Sequence, residues 1–89
     1  MNQAIADPDQ LRQFAAQLRL FSETLRERST VVAGQLNQLQ QSWRDEQQRA
    51  FSENFLAELK QLSRVVAAAD EHIPYLLRKA DQIDAYLER

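Results

Sequence analysis

The chain has 89 residues, 44% of them hydrophobic, and a formal net charge of −2, a size for one small domain spanning residues 1–89. It contains no cysteine, one glycine and two prolines, which excludes a disulfide framework or a thiolate metal site and favours long helices over a turn-rich sheet. Acids and bases are interspersed, against a nucleic-acid partner, and the longest apolar run, residues 65–69, is too short to span a bilayer.

Residues 1–6 carry no pattern and are expected to fray. They also lack the basic start and apolar stretch of a signal peptide, so the expectation is synthesis in the cytoplasm without a conventional leader. Asp7-Pro8-Asp9-Gln10 is a helix start: a capping carboxylate, a proline for the first helical position, an acid for the positive end of the dipole, and Gln10 completing a box. The first helix is predicted from about residue 8 to 41. Leu11, Leu18, Leu25, Val32 and Leu39 recur every seven residues. Phe14 and Phe21 begin a second series, which continues through Arg28, Gln35 and Ser42. Gly34 is either a tolerated surface glycine or a point of close helix–helix approach.

A Gln-rich stretch leads into Ser42-Trp43-Arg44-Asp45, where Ser42 and Asp45 are cap-type residues. The second helix is predicted over about residues 45–88. Its two apolar series are complete: Leu59, Val66, Ile73, Ala80 and Leu87, interleaved with Phe55, Leu62, Ala69, Leu76 and Ile83. Pro74 is expected to kink this helix without ending it, because the heptad phase runs through it unbroken.

Folding the chain about the Trp43–Arg44 bond lays the stripes against each other in an antiparallel hairpin. Leu11 then faces Leu76, Phe14 faces Ile73, Leu18 faces Ala69, Phe21 faces Val66, Leu25 faces Leu62, and Val32 faces Phe55. Arg28 falls level with Leu59, where its stem can pack and its guanidinium reach Glu58, or where it can meet a partner chain. Further apolar residues lie beside the seam: Leu20, Val31 and Leu36 on the first helix, and Phe51, Leu56, Val65 and Leu77 on the second. A face this wide exceeds what one pair of helices consumes, so a second hairpin is expected to cover it, closing an all-α four-helix bundle.

No catalytic constellation emerges. His72 stands alone between Glu71 and Ile73, and Asp70, Glu71 and His72 point in successive directions. Ser22, Ser29 and Ser63 have no local base, and phosphate-loop and zinc motifs are absent, so the expectation is no enzyme, no metal and no cofactor. Trp43 either closes the end of the bundle or offers an aromatic surface to a partner.

The apolar series before the turn (Leu25, Val32, Leu36, Leu39), Trp43-Arg44-Asp45 at the turn and Phe51 and Phe55 after it resemble the Trp-X-Gly (WXG) family, the ESAT-like substrates of type VII secretion. The resemblance covers nearly the whole chain and implies a small dimeric substrate or carrier without catalytic activity. Its mate would be itself or a paralogous hairpin, with a secretion ATPase or a cargo protein as further partners. Two departures stand out. Asp45 replaces the motif glycine, and the family's export signal, a Tyr followed four residues later by an acid, is not met, since Tyr75 is followed at that distance by Lys79 and Tyr86 by only three residues. A non-exported relative, the signal-less half of a heterodimer, or a cytoplasmic coiled-coil adaptor subunit is the alternative these departures leave open.

Overall fold

Two carboxylates start the two helices. In the computed structural model, which describes residues 6–88, the Asp7 side chain accepts the Asp9 N–H at 2.9 Å and Pro8 takes the first helical position, so α1 runs Pro8–Leu39. Asp45 repeats the device for α2, Glu46–Leu87, accepting the Gln48 N–H at 2.9 Å. The fraying expected of residues 1–6 lies, for residues 1–5, outside the described residues. α2 continues through Pro74, although the proline removes one amide from its ladder.

α1 stops at Leu39, two residues short of the expected 41. The Leu39 carbonyl there accepts the N–H groups of Ser42 (3.1 Å) and Trp43 (2.9 Å), and the Gln38 carbonyl accepts from Gln41 (3.0 Å). The bonds from Ser42 and Gln41 span three residues and tighten the end of the helix, while that from Trp43 keeps the four-residue spacing; together they satisfy the last carbonyls of α1 as the chain turns. Trp43 is half-buried, its ring 5.9 Å from that of Phe51, which in turn stacks on Phe55 at 5.7 Å. The indole thus neither sinks into a core nor stands free. It caps an aromatic ladder at the turn end of α2.

The helices lie antiparallel in a body of 67 × 18 × 14 Å. At 1.5 Å per residue α2 alone accounts for about 63 Å, so the long dimension is one helix length and not the ~120 Å of an unbroken rod. Between the helices, Val66, Ala69, Ile73, Ala80 and Ile83 of α2 are buried, and Phe55, Leu59, Leu62 and Leu76 are half-buried. Leu87, the last member of its series, is exposed.

α1 meets this stripe with a different face from the one expected. Leu11, Leu18, Leu25 and Val32 are half-buried, but the interleaving series is Ala15, Ser22, Ser29 and Leu36, not Phe14 and Phe21. Ala15 and Ser22 are each 1% exposed, whereas Phe14 is 58% and Phe21 52% exposed. Leu36, expected on the outer face, is buried in the seam. The axial register differs too. Ser22 meets Asp70, where folding about Trp43–Arg44 would have placed Val65, and Arg12 reaches Asp81 and Asp84 rather than Tyr75. α2 is displaced by more than one turn relative to a fold made flat at the tryptophan. Small residues let the helices approach closely, and the aspartates reward this rotation and this register together.

Gly34 is exposed, and a Cβ added there would meet nothing within 4 Å, so it is a surface glycine within the hairpin and not a close approach of its helices. Arg28 is exposed, and among the described residues no ion pair joins it to Glu58.

The aromatic ladder gives a direct test. Trp43→Ala is expected to lower stability by about 2 kcal/mol, less than full burial would give, because the ring is only partly covered. Thermal unfolding followed by circular dichroism checks this, and an unchanged midpoint would show that the ladder contributes nothing.

Candidate protein-interaction surface

The rotation of α1 gives the hairpin two unlike sides. Successive helical residues differ by about 100°, so positions one before and three before a seam residue flank it on opposite sides. Relative to Ala15 these positions are Phe14 and Arg12; relative to Ser22 they are Phe21 and Arg19.

On the basic flank of α1, α2 supplies carboxylates. An Arg12 guanidinium nitrogen contacts Asp81 at 2.9 Å and Asp84 at 2.5 Å, and both hydrogen bonds hold the guanidinium pKa above its usual value. Further along, the Ser22 hydroxyl donates to Asp70 Oδ1 at 2.6 Å, while Arg26 bonds both the Ser22 oxygen (3.2 Å) and the other Asp70 oxygen. Hydrogen bonding from Arg26, then from Ser22, holds the Asp70 carboxyl below the usual carboxylate range. The clamp explains how a serine can be almost fully buried in an otherwise small-residue and aliphatic seam: its donor and acceptor are both used. Nearer the turn, buried Gln48 donates to buried Ser52 at 2.6 Å.

The opposite flank is apolar and open. Phe14, Leu18 and Phe21 of α1 and Val65, Ala68 and Tyr75 of α2, with His72 beside them, line a groove of about 410 Å³. Phe14, Phe21, Val65 and Tyr75 are each more than half exposed. The remaining outer residues scatter. Leu20, Val31, Phe51 and Leu56 are exposed but do not line this groove, and Phe51 is engaged by Trp43. Leu77 is half-buried on the other flank, in a cleft with Arg12, Arg19 and Ile73. At the turn, Arg44 is exposed and Asp45 serves as the cap of α2.

Periodicity weighted by side-chain size puts the phenylalanines inside and passes over the clamp. A signal for the correct arrangement exists: Ala15, Ser22, Ser29 and Leu36 also recur every seven residues. The bulk of the aromatic series makes it look like the seam, and the serines look like fillers. Only the aspartates of α2, distant in sequence, distinguish the two series.

Among the described residues no group of three or more His, Cys, Asp or Glu is arranged to hold a metal ion, and no helix is long and apolar enough to cross a membrane. What the arrangement can do is bind: it pairs an apolar groove on one side with a charge-satisfied surface on the other. In comparison with known proteins, the family model WXG100, described as proteins of 100 residues with WXG, matches residues 3–86. No curated protein and no solved structure matches the chain.

The clamp makes stability depend on pH in a defined direction. A carboxyl whose pKa is lowered by folding contributes stability above its unfolded pKa, near the ordinary aspartate value of 3.8 for Asp70, and that contribution is lost as pH falls through the folded value. Thermal midpoints should therefore fall below about pH 4. Asp70→Asn should lower the midpoint at neutral pH and flatten this acid limb; a limb of unchanged steepness in the variant would assign the acid sensitivity elsewhere.

Proposed function

This chain belongs to the WXG100 family, and on that premise we propose that it acts by pairing, its groove covered by a second hairpin to close a four-helix bundle. The family consists of non-enzymatic helical hairpins that typically pair with themselves or with a partner hairpin, and its context is type VII secretion. The observation that carries the reading is the exposure of Phe14, Phe21, Val65 and Tyr75 along one side of the hairpin. Keeping two phenylalanines at the surface while burying a serine and an alanine forgoes apolar burial within the chain, which the clamp's contacts offset without covering the rings. A partner that removes the rings from water recovers roughly 1.5–3 kcal/mol for each one fully buried.

In this role the protein is a type VII substrate or a carrier for another substrate, and its partners are a copy of itself or a paralogous hairpin, then a secretion ATPase or a cargo protein. Its work is recognition, with no reacting group. A second reading, a non-exported adaptor subunit, draws support from Lys79, which stands four residues after Tyr75 where the export signal of such proteins has an acid. Comparing culture medium with cell pellet separates the two: protein confined to the pellet speaks for the adaptor.

Sedimentation velocity tests the pairing itself. The wild-type chain, alone or with its partner hairpin, should sediment as a dimer. Val65→Glu should shift it toward monomer while leaving helical circular dichroism unchanged, because Val65 lies on the groove and outside the seam. A wild-type protein that stays monomeric with every candidate partner would overturn the reading.

A further inference from the structure

We propose that the groove can be shut from within. The N-terminal half of α1 turns on α2 between the open state described above and a closed state that carries Phe14 and Phe21 into the seam. The bonds of Asp70 to Ser22 and Arg26 are the latch that holds it open. The inference rests on the pairing proposed above and supplies its regulation, since a chain with its groove shut offers a partner no apolar surface.

Two stripes of α1 fit the seam of α2. The observed one takes Ala15 and Ser22 inward; the other takes Phe14 and Phe21. Both share Leu11, Leu18 and Leu25, and both continue through Ser29, Val32 and Leu36. They differ at two places only, both in the N-terminal half of the helix, so the end near the turn need not move. The aromatic stripe takes two successive steps of four residues, Phe21 to Leu25 to Ser29, where the observed one alternates four and three. A stutter of this kind unwinds a helix pair locally and suits the natural pitch of an α-helix. At the same place the Thr30 hydroxyl donates to the Arg26 carbonyl at 3.0 Å, a back-bond of the type that bends helices.

α2 has room for the rings. With Ser22 bonded to Asp70, the antiparallel register sets Phe21 level with the gap between Ala69 and Ile73, and Phe14 level with the gap between Leu76 and Ala80. Each ring therefore stands beside an alanine of the seam. Ala69 and Leu76 already line the groove together with both phenylalanines, so the turn carries the rings across its floor, large side chains over small ones. The same turn takes Ser22 off Asp70 and swings Arg12 and Arg26 away from the carboxylates of α2. The open state keeps the polar bonds and leaves the rings in water; the closed state does the reverse. A partner that binds only the open state draws the chain toward it, and its apparent affinity falls with the open fraction of the free chain.

Fluorine NMR of the chain labelled with para-fluorophenylalanine tests this through the shift of each ring between light and heavy water, which exposed rings show and buried rings lose. In the unpaired chain, obtained by dilution or as Val65→Glu, Phe14 and Phe21 should lose most of this shift while the exposed Phe51 keeps it. Asp70→Asn releases the latch; it should complete the loss in the unpaired chain and weaken pairing about tenfold. Ala15→Glu sets a carboxylate where the open seam buries an alanine, whereas the closed seam turns it outward between Arg12 and Arg19. That variant should keep its helical circular dichroism, protect both rings and no longer pair. Rings that stay exposed in the unpaired chain and in Asp70→Asn, or helix lost in Ala15→Glu, overturn the closed state and leave pairing through the groove intact. A wild-type chain that pairs with no hairpin overturns the pairing, and its fluorine shifts still decide the closed state.

Discussion

The rotation of α1 about its own axis governs the rest of the molecule, and the clamp of Asp70 on Ser22 and Arg26 holds it there. Two faces of α1 are compatible with a heptad seam, one containing Phe14 and Phe21 and the other Ala15 and Ser22. They differ by one residue, about 100° of rotation. The aromatic seam would bury more apolar area within the chain. It would also turn Arg12 and Arg26 away from the three aspartates of α2 that they reach in the observed arrangement. The small-residue seam brings the helices close, satisfies a buried hydroxyl, and sets two arginines among three carboxylates. The individual ion pairs are partly exposed and modest in strength. Their directionality matters more than their energy, since they select between two seams that hydrophobicity alone would order the other way.

That selection creates the apolar groove as its complement. Whatever the seam does not take is left on the flanks, and here it leaves phenylalanines on one side and paired charges on the other. The hairpin is therefore incomplete on one side only. In the pairing proposed above, this asymmetry would direct a partner to the groove side, while the charges of the opposite flank are satisfied within the chain. Membership of the WXG100 family sets the general expectation of a paired hairpin. The particular face and the charges around it belong to this chain.

The turn illustrates how a motif residue can be replaced when its conformational role is not needed. Asp45 stands where the WXG pattern has glycine, yet its backbone is extended, with φ −89° and ψ −176°, a region open to any residue. No left-handed conformation is required at that position, so the sequence is free to use a carboxylate and gain a helix cap. Trp43 keeps its place through contact with Phe51, and the two rings continue into Phe55. The end of the hairpin is thus closed by its own aromatic residues.

Local chemistry and periodicity determined the helices: Asp7-Pro8 and Asp45 mark their starts to within a residue, the heptads of α2 carry through Pro74, and the chain reverses near Trp43 as the stripes require. These features were legible because caps and heptads act over a few neighbouring residues. The face that α1 turns inward, and its axial register against α2, were decided only in the tertiary structure. They depend on Ser22 meeting Asp70 and on Arg12 meeting Asp81 and Asp84, contacts between residues 48 to 72 positions apart. A heptad pattern specifies which residues share a stripe but leaves neighbouring stripes nearly equivalent. The choice between them falls to groups that come together only once the helices have paired.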